Sequence, residues 1–187
     1  MRILDVGCGN HKTPGAIGID FNARTAADIV HDLNQYPWPL DDNAFECIIC
    51  SHIVEHIVDF VRFMEEIHRV ARPGALVEIV TPHFSNRFGY TDPTHLRHLS
   101  LFSFDYFVAH PPFRPALVSR AFETQSPVAD FYSAARFAKT RAFLRFARPF
   151  RLTGFQWLAN RFPHFYEAYL AFIFPARDLY FTLKVIK

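Results

Sequence analysis

The sequence predicts an α/β fold with one open, mostly parallel sheet, and three observations predict it. Ile3-Leu4-Asp5-Val6 is a run of strand formers that turns abruptly into Gly7-Cys8-Gly9, as a buried strand does when its bare-backbone turn approaches a ligand. Residues 45–51 have the same strand-like composition and lead into residues 58–70, where Phe60, Phe63, Met64, Ile67 and Val70 fall at helical spacing. Arg72-Pro73-Gly74 then stops the helix, and residues 75–81 return to branched apolar side chains. Strand, helix and strand in succession are the unit of a parallel sheet.

The first strand begins near Arg2. Asp5, two places before the first glycine, disfavours a phosphate at the turn and suits a cationic group. A dinucleotide-binding turn would carry a third glycine where this chain has Lys12, which argues against a dehydrogenase. The link to the second strand passes through Pro14-Gly15, so a compressed loop or a single helical turn is expected in place of a crossover helix. Gly18-Ile19-Asp20 ends that strand on a carboxylate placed to accept both ribose hydroxyls of an adenosine. Residues 27–31 read as a third strand followed by Asp32-Leu33, and Pro37-Trp38-Pro39 as a stiff turn into the fourth.

These motifs, with the stretch from Asp41 through Ser51-His52-Ile53-Val54-Glu55-His56 to Pro82-His83, resemble class I S-adenosylmethionine-dependent methyltransferases of the type 11 kind over about residues 2–110. The resemblance implies a Rossmann-like class I methyltransferase sheet and S-adenosylmethionine as cofactor, with S-adenosylhomocysteine as product. It places Asp5, Gly7, Cys8 and Gly9 at the amino-acid end of the cofactor and Asp20 and Phe21 at the ribose. Asp32 and Leu33 fall to the adenine, and Ser51 and His52 to the methionine end. The usual helices before the first strand are missing from this pattern, so either another segment covers the site or the site is open.

Ligands of open α/β sheets lie beyond the carboxyl ends of the strands. His83 and the loop at residues 86–100 should therefore face the methyl acceptor, with His83, His95 and Asp92 as candidate catalytic groups and His98 nearby. Asp92-Pro93 also reads as an N-cap followed by a first-turn proline. A rival motif overlaps the fourth strand's end: His52-x-x-Glu55-His56 matches the inverted zincin signature, a minor alternative in which two histidines on one helix face bind zinc. The main reading assigns no metal. A four-ligand metal site from His83, Asp92, His95 and His98 is another minor alternative.

Residues 103–109 read as a short helix, residues 117–126 as a sixth strand, and residues 178–186 as a last, antiparallel edge strand. One domain spans 1–187, with a cofactor-binding core over 1–117 and a helical, Phe/Arg-rich insertion over 134–174. Taken as a helix, the insertion sets Arg141, Arg145 and Arg148 against Phe143, Phe146 and Phe150. It is expected to cover the sheet, to form a homodimer contact, or to meet the headgroups of an anionic membrane.

The net charge of +2 and pI of about 8.5 give no general affinity for nucleic acid, and phenylalanine at core spacing differs from bases' stacking partners on a sheet. Three cysteines and no secretory signal point to a reducing cytoplasm, with the inner membrane surface as the other candidate. Cys47 and Cys50 lie three apart on a strand, on opposite faces, so they read as packing and not as metal ligands. Pro37-Trp38-Pro39, Pro82-His83-Phe84, Asp92-Pro93-Thr94-His95 and the stretch 179–187 also resemble a bacterial group within the family. That likeness implies O-methylation of a small-molecule or lipid-linked acceptor: a sugar, glycolipid or polysaccharide precursor. The competing class is a non-catalytic membrane-associated module that keeps the nucleotide fold.

Overall fold

The computed structural model describes residues 1–109 and 132–187. Its strands are β1 (Ile3–Val6), β2 (Ile17–Asp20), β3 (Ile29–Val30), β4 (Phe45–Ser51), β5 (Ala71–Pro82), β6 (Arg136–Arg145) and β7 (Asp178–Ile186). They form one seven-stranded sheet in the order β3-β2-β1-β4-β5-β7-β6. The five strands from β3 to β5 run parallel, while β7 is antiparallel to both β5 and β6.

The longest helix among the described residues, α1 (Phe60–Val70), starts where Asp59 Oδ1 accepts from Arg62 N–H at 3.0 Å and buries Phe63, Met64, Ile67 and Val70. Leu4, Val6, Ile48 and Cys50 of β1 and β4 belong to the same core. The Trp38 turn is locked onto α1: Trp38 N–H donates to Glu66 Oε1 at 2.6 Å, and Arg69 pairs with the same carboxylate. Cys47 is half-buried and Cys50 buried, both free thiols, in keeping with opposite faces of a strand.

Between β1 and β2 the chain forms no helix. Side chains do the work of a crossover: Thr13 N–H donates to Asp5 Oδ2 at 2.7 Å, and Lys12 Nζ and Gly18 N–H both reach Asp28. The expected compressed loop is thus present, held by two carboxylates.

The segment 134–174 departs from the expected helix. Its first part is β6, which pairs with β7 and takes the edge position expected for β7. The expected helix rested on Phe143, Phe146 and Phe150, which the structure divides among β6, the turn after it and the next helix; a register slip between Lys139 and Arg141 also brings Phe137 and Leu144, an odd number of residues apart, into the core together. Seven residues is also two helical turns, and the pattern alone cannot separate the two. Arg141 and Arg145 are exposed on this strand and do not line a helix face.

Helices follow: α2 (Phe88–Thr91) lies earlier, and α3 (Arg148–Leu152), α4 (Phe155–Arg161) and α5 (Pro163–Phe165), running on as a π-turn over Tyr166–Leu170, complete the segment. Asn160 holds α4 against β6 through Leu144 N–H and C=O, at 2.7 and 2.8 Å. Residues 103–107 form a 3-10 turn rather than an α-helix. The expected sixth strand at 117–126 lies outside the described residues.

Candidate active site

A cavity of about 560 Å³ opens beyond the carboxyl ends of β1, β2 and β4, within the range of roughly 300–1,000 Å³ usual for small-molecule pockets. Gly7, at the turn after β1, has φ of +68°, and a Cβ there would stand 2.6 Å from Ile53 Cγ1. Only glycine leaves that wall open. Asp20 closes β2 with its carboxylate at the cavity: Oδ2 accepts from Gly9 N–H at 2.9 Å and Oδ1 from Asn22 N–H at 3.0 Å. Each oxygen keeps acceptor capacity for a ligand hydroxyl.

Phe21 stands exposed over the same opening, and Asp32, Leu33 and Asn34 line it after β3. Asn34 Oδ1 accepts from Val58 N–H at 2.8 Å, fixing this loop to the start of α1. On the third side, His52 follows β4 with φ of +54°, a conformation rare outside glycine. Ile53 and Ile57 add apolar wall, and His56 and Thr94 a polar corner.

Behind that corner lies Glu55, 1% exposed, whose Oε2 accepts from Thr81 Oγ1 at 3.1 Å. Its Oε1 has no hydrogen-bond partner among the described residues. His52 Nδ1 stands 3.3 Å from it as an ion-pair partner, and contact with this carboxylate pushes the His52 pKa up against the effect of burial.

Most residues named from sequence for the cofactor fall on the cavity: Gly7, Asp20, Phe21, Asp32, Leu33 and His52. Others stand one layer back. Asp5 is buried and spent on Thr13, Gly9 donates to Asp20, and the Cys8 thiol packs against Gly18 with its pKa raised by desolvation. Ser51 is exposed and does not line the cavity.

The candidate catalytic groups divide. His83 is fully buried away from the cavity; its Nδ1 accepts from Ser85 N–H at 3.2 Å, which leaves Nε2–H to donate to Glu167 Oε1 at 3.2 Å. With both ring nitrogens occupied, it is a latch between β5 and the π-turn and is placed to take no proton from a ligand. His95 sits behind His56, ring centroids 4.7 Å apart, and Asp92 Oδ1 accepts from Thr94 N–H and Oγ1. His98 stacks on Tyr90.

The inverted zincin reading also loses its geometry. Only Val54–His56 form a 3-10 turn and His52 lies outside it, so His52 and His56 do not share a helix face. Sequence reasoning missed Asn34 and Thr94. Both flank motifs it had singled out, Asp32-Leu33 and Asp92-Pro93-Thr94-His95, and neither residue type signals a pocket by itself.

Known proteins bear on this geometry. Residues 1–110 match the family described as a methyltransferase domain. A probable S-adenosylmethionine-dependent methyltransferase of Mycolicibacterium smegmatis is 28% identical over 52% of this chain and 46% of that protein; the chain thus spans about half the length of that relative. Among solved structures, a SAM-dependent methyltransferase from Archaeoglobus fulgidus has a TM-score of 0.54 at 18% identity, covering 98% of this chain and 85% of that one. The YcgJ protein of Bacillus subtilis has 0.57 at 14%, covering 100% and 92%. These likenesses show a Rossmann-like class I methyltransferase fold.

Proposed function

The chain belongs to the methyltransferase-domain family, and from that premise we propose that it transfers a methyl group from S-adenosylmethionine to a hydroxyl of a small-molecule or lipid-linked acceptor of the sugar, glycolipid or polysaccharide-precursor class. The observation that carries the reading is the cavity itself, with Asp20 and Asp32 on one wall, a glycine turn on the second and aliphatic side chains on the third. Two carboxylates, with no Lys or Arg among the described lining residues, suit a cationic adenosyl donor better than a nucleotide polyphosphate.

In this reading Asp20 takes the ribose hydroxyls, Asp32 and the Leu33 backbone the adenine, and the Gly7 and His52 backbones the methionine end. Asp5 and Gly9 act from behind: the first fixes the loop after β1, and the second holds the Asp20 carboxylate in place. When bound, the cofactor supplies an electrophilic methyl on a good leaving group. The chain's task is alignment, which accounts for about 7–11 kcal/mol where reactants are well placed. His95 and Asp92 act through His56 and Thr94, which face the cavity, and not directly.

A second surface supports the lipid-linked acceptor. Leu152, Trp157, Phe162, Tyr169, Phe172 and Ile173 are all at least half exposed on the helical segment, with Arg148, Arg151, Arg161 and Arg177 exposed among them. An apolar hollow of about 150 Å³ opens between α4 and the π-turn. Exposed aromatic and basic side chains together suit contact with an anionic membrane surface; no described helix is long and apolar enough to cross a membrane. The whole reading is tested by mass spectrometry of small molecules released from the purified protein, followed by assay of labelled methyl transfer to lipid-linked and free glycans. Recovery of S-adenosylhomocysteine and label in a glycan fraction are expected; label only in protein or nucleic acid would reject the acceptor class.

A further inference from the structure

We propose that Glu55, His56 and His95 form a binding site for one divalent transition-metal ion behind the His56–Thr94 corner of the cavity. Each offers one ligand atom, and the three atoms lie within 4.8 Å of one another. At metal bonds of 2.0–2.2 Å, tetrahedral ligands stand ~3.4 Å apart, so closing on an ion requires the three atoms to draw together by little more than about an ångström.

The carboxylate is the independent pointer. Glu55 Oε1 is buried and makes no hydrogen bond among the described residues, with His52 Nδ1 standing 3.3 Å away as an ion-pair neighbour, and a buried acceptor left unmade is costly. A cation on that oxygen removes the cost.

The imidazoles are prepared for it. His56 Nδ1 lies 3.3 Å from the Thr94 carbonyl and His95 Nδ1 3.1 Å from the Gly89 carbonyl. A carbonyl only accepts, so both Nδ1 atoms carry the proton and both Nε2 atoms present a lone pair. Ligating histidines are held by the same kind of outer contact. Asp92 Oδ2, 3.8 Å from His95 Nε2, adds negative charge beside the ion.

Two hydrogen bonds to backbone carbonyls bring the two ends of the site together before any ion arrives. Leu96 N–H donates to the Glu55 carbonyl at 2.8 Å, and Arg97 Nε to the Ile57 carbonyl at 2.9 Å. Two imidazoles and one carboxylate favour zinc, cobalt, manganese or iron(II) over magnesium or calcium. Three protein ligands leave a position open, and because His56 and Thr94 line the cavity, that position faces it. On the methyl-transfer reading, an acceptor hydroxyl ligated there releases its proton to solvent more readily.

The test uses the full chain, stripped with a chelator and titrated with Co²⁺ by visible absorption and with Zn²⁺ by calorimetry. One equivalent of each should bind, with d–d bands of a nitrogen/oxygen site. His56→Ala and His95→Ala should each weaken binding on the order of a hundredfold and Glu55→Gln roughly tenfold, while His11→Ala changes nothing. S-adenosylhomocysteine affinity, measured on the stripped wild type, reports the cofactor reading separately. Absence of saturable Co²⁺ and Zn²⁺ binding to the wild type overturns the proposal, and so does binding that folded His95→Ala leaves intact. If neither histidine variant folds, histidine signals in the Co²⁺ paramagnetic spectrum of the wild type decide: two shifted imidazole N–H resonances support the site, none overturns it.

Discussion

Asp5 and Asp20 are both buried carboxylates near one turn, and their different partners give them different work. Asp5 spends an oxygen on the Thr13 N–H, whereas Asp20 holds Gly9 and Asn22 while still facing the cavity. Asp5→Asn should therefore lower stability with a small effect on affinity, and Asp20→Ala should do the reverse; denaturation and binding measured on both variants separate the roles. At Gly7, alanine would meet both a positive φ and the Ile53 side chain. Gly7→Ala should cost about 1–3 kcal/mol in urea denaturation and narrow the cavity. Residues such as Gly7, Asp20 and Asp32 were legible in the sequence because a strand's end fixes where the next side chain points. His83 was not: its partner Glu167 comes from a distant element, and nothing in the local pattern distinguishes a buried latch from a base.

At the level of elements, the parallel core was readable from periodicity and stop signals, since α1 and its flanking strands each carry one uninterrupted pattern. β6 was not, because the helically spaced Phe143, Phe146 and Phe150 are divided among the strand, the turn after it and the next helix. That strand is anchored by Lys139, which pairs with Asp105, a residue buried in the 3-10 turn of residues 103–107. Lys139→Met should destabilise by up to about 3–5 kcal/mol, since it removes one member of a buried ion pair; urea denaturation of the variant against the wild type checks this. His68 on α1 donates from Nε2 to the Ile186 carbonyl at 2.8 Å, and burial, with Lys187 and Arg136 nearby, holds its pKa below 6.5. The unfolded chain then takes up this proton first as the pH falls. Stability from this residue is full above about pH 6.5 and is lost below it, and His68→Gln should flatten that part of the stability profile.

Across the whole molecule, the sheet presents its strand ends on one side, and the helical segment adds an exposed aromatic and basic surface to the β5–β6 half. If that surface meets anionic headgroups, the protein should float with anionic vesicles at low salt, and Trp157→Asp with Phe172→Asp should leave it in the soluble fraction; flotation equal in both would remove the membrane role. The composition announced an unusual segment through its phenylalanines, but what an exposed apolar surface meets is a property of the partner and is not written in spacing. The central claim is that the cavity beyond β1, β2 and β4 is built for an adenosyl donor held by the β2 carboxylate. Calorimetry of S-adenosylhomocysteine with the wild type and Asp20→Ala tests it most directly. One-to-one binding, weakened roughly 10–100-fold by the substitution, is the predicted result; no binding at millimolar ligand, or binding indifferent to Asp20, would contradict it.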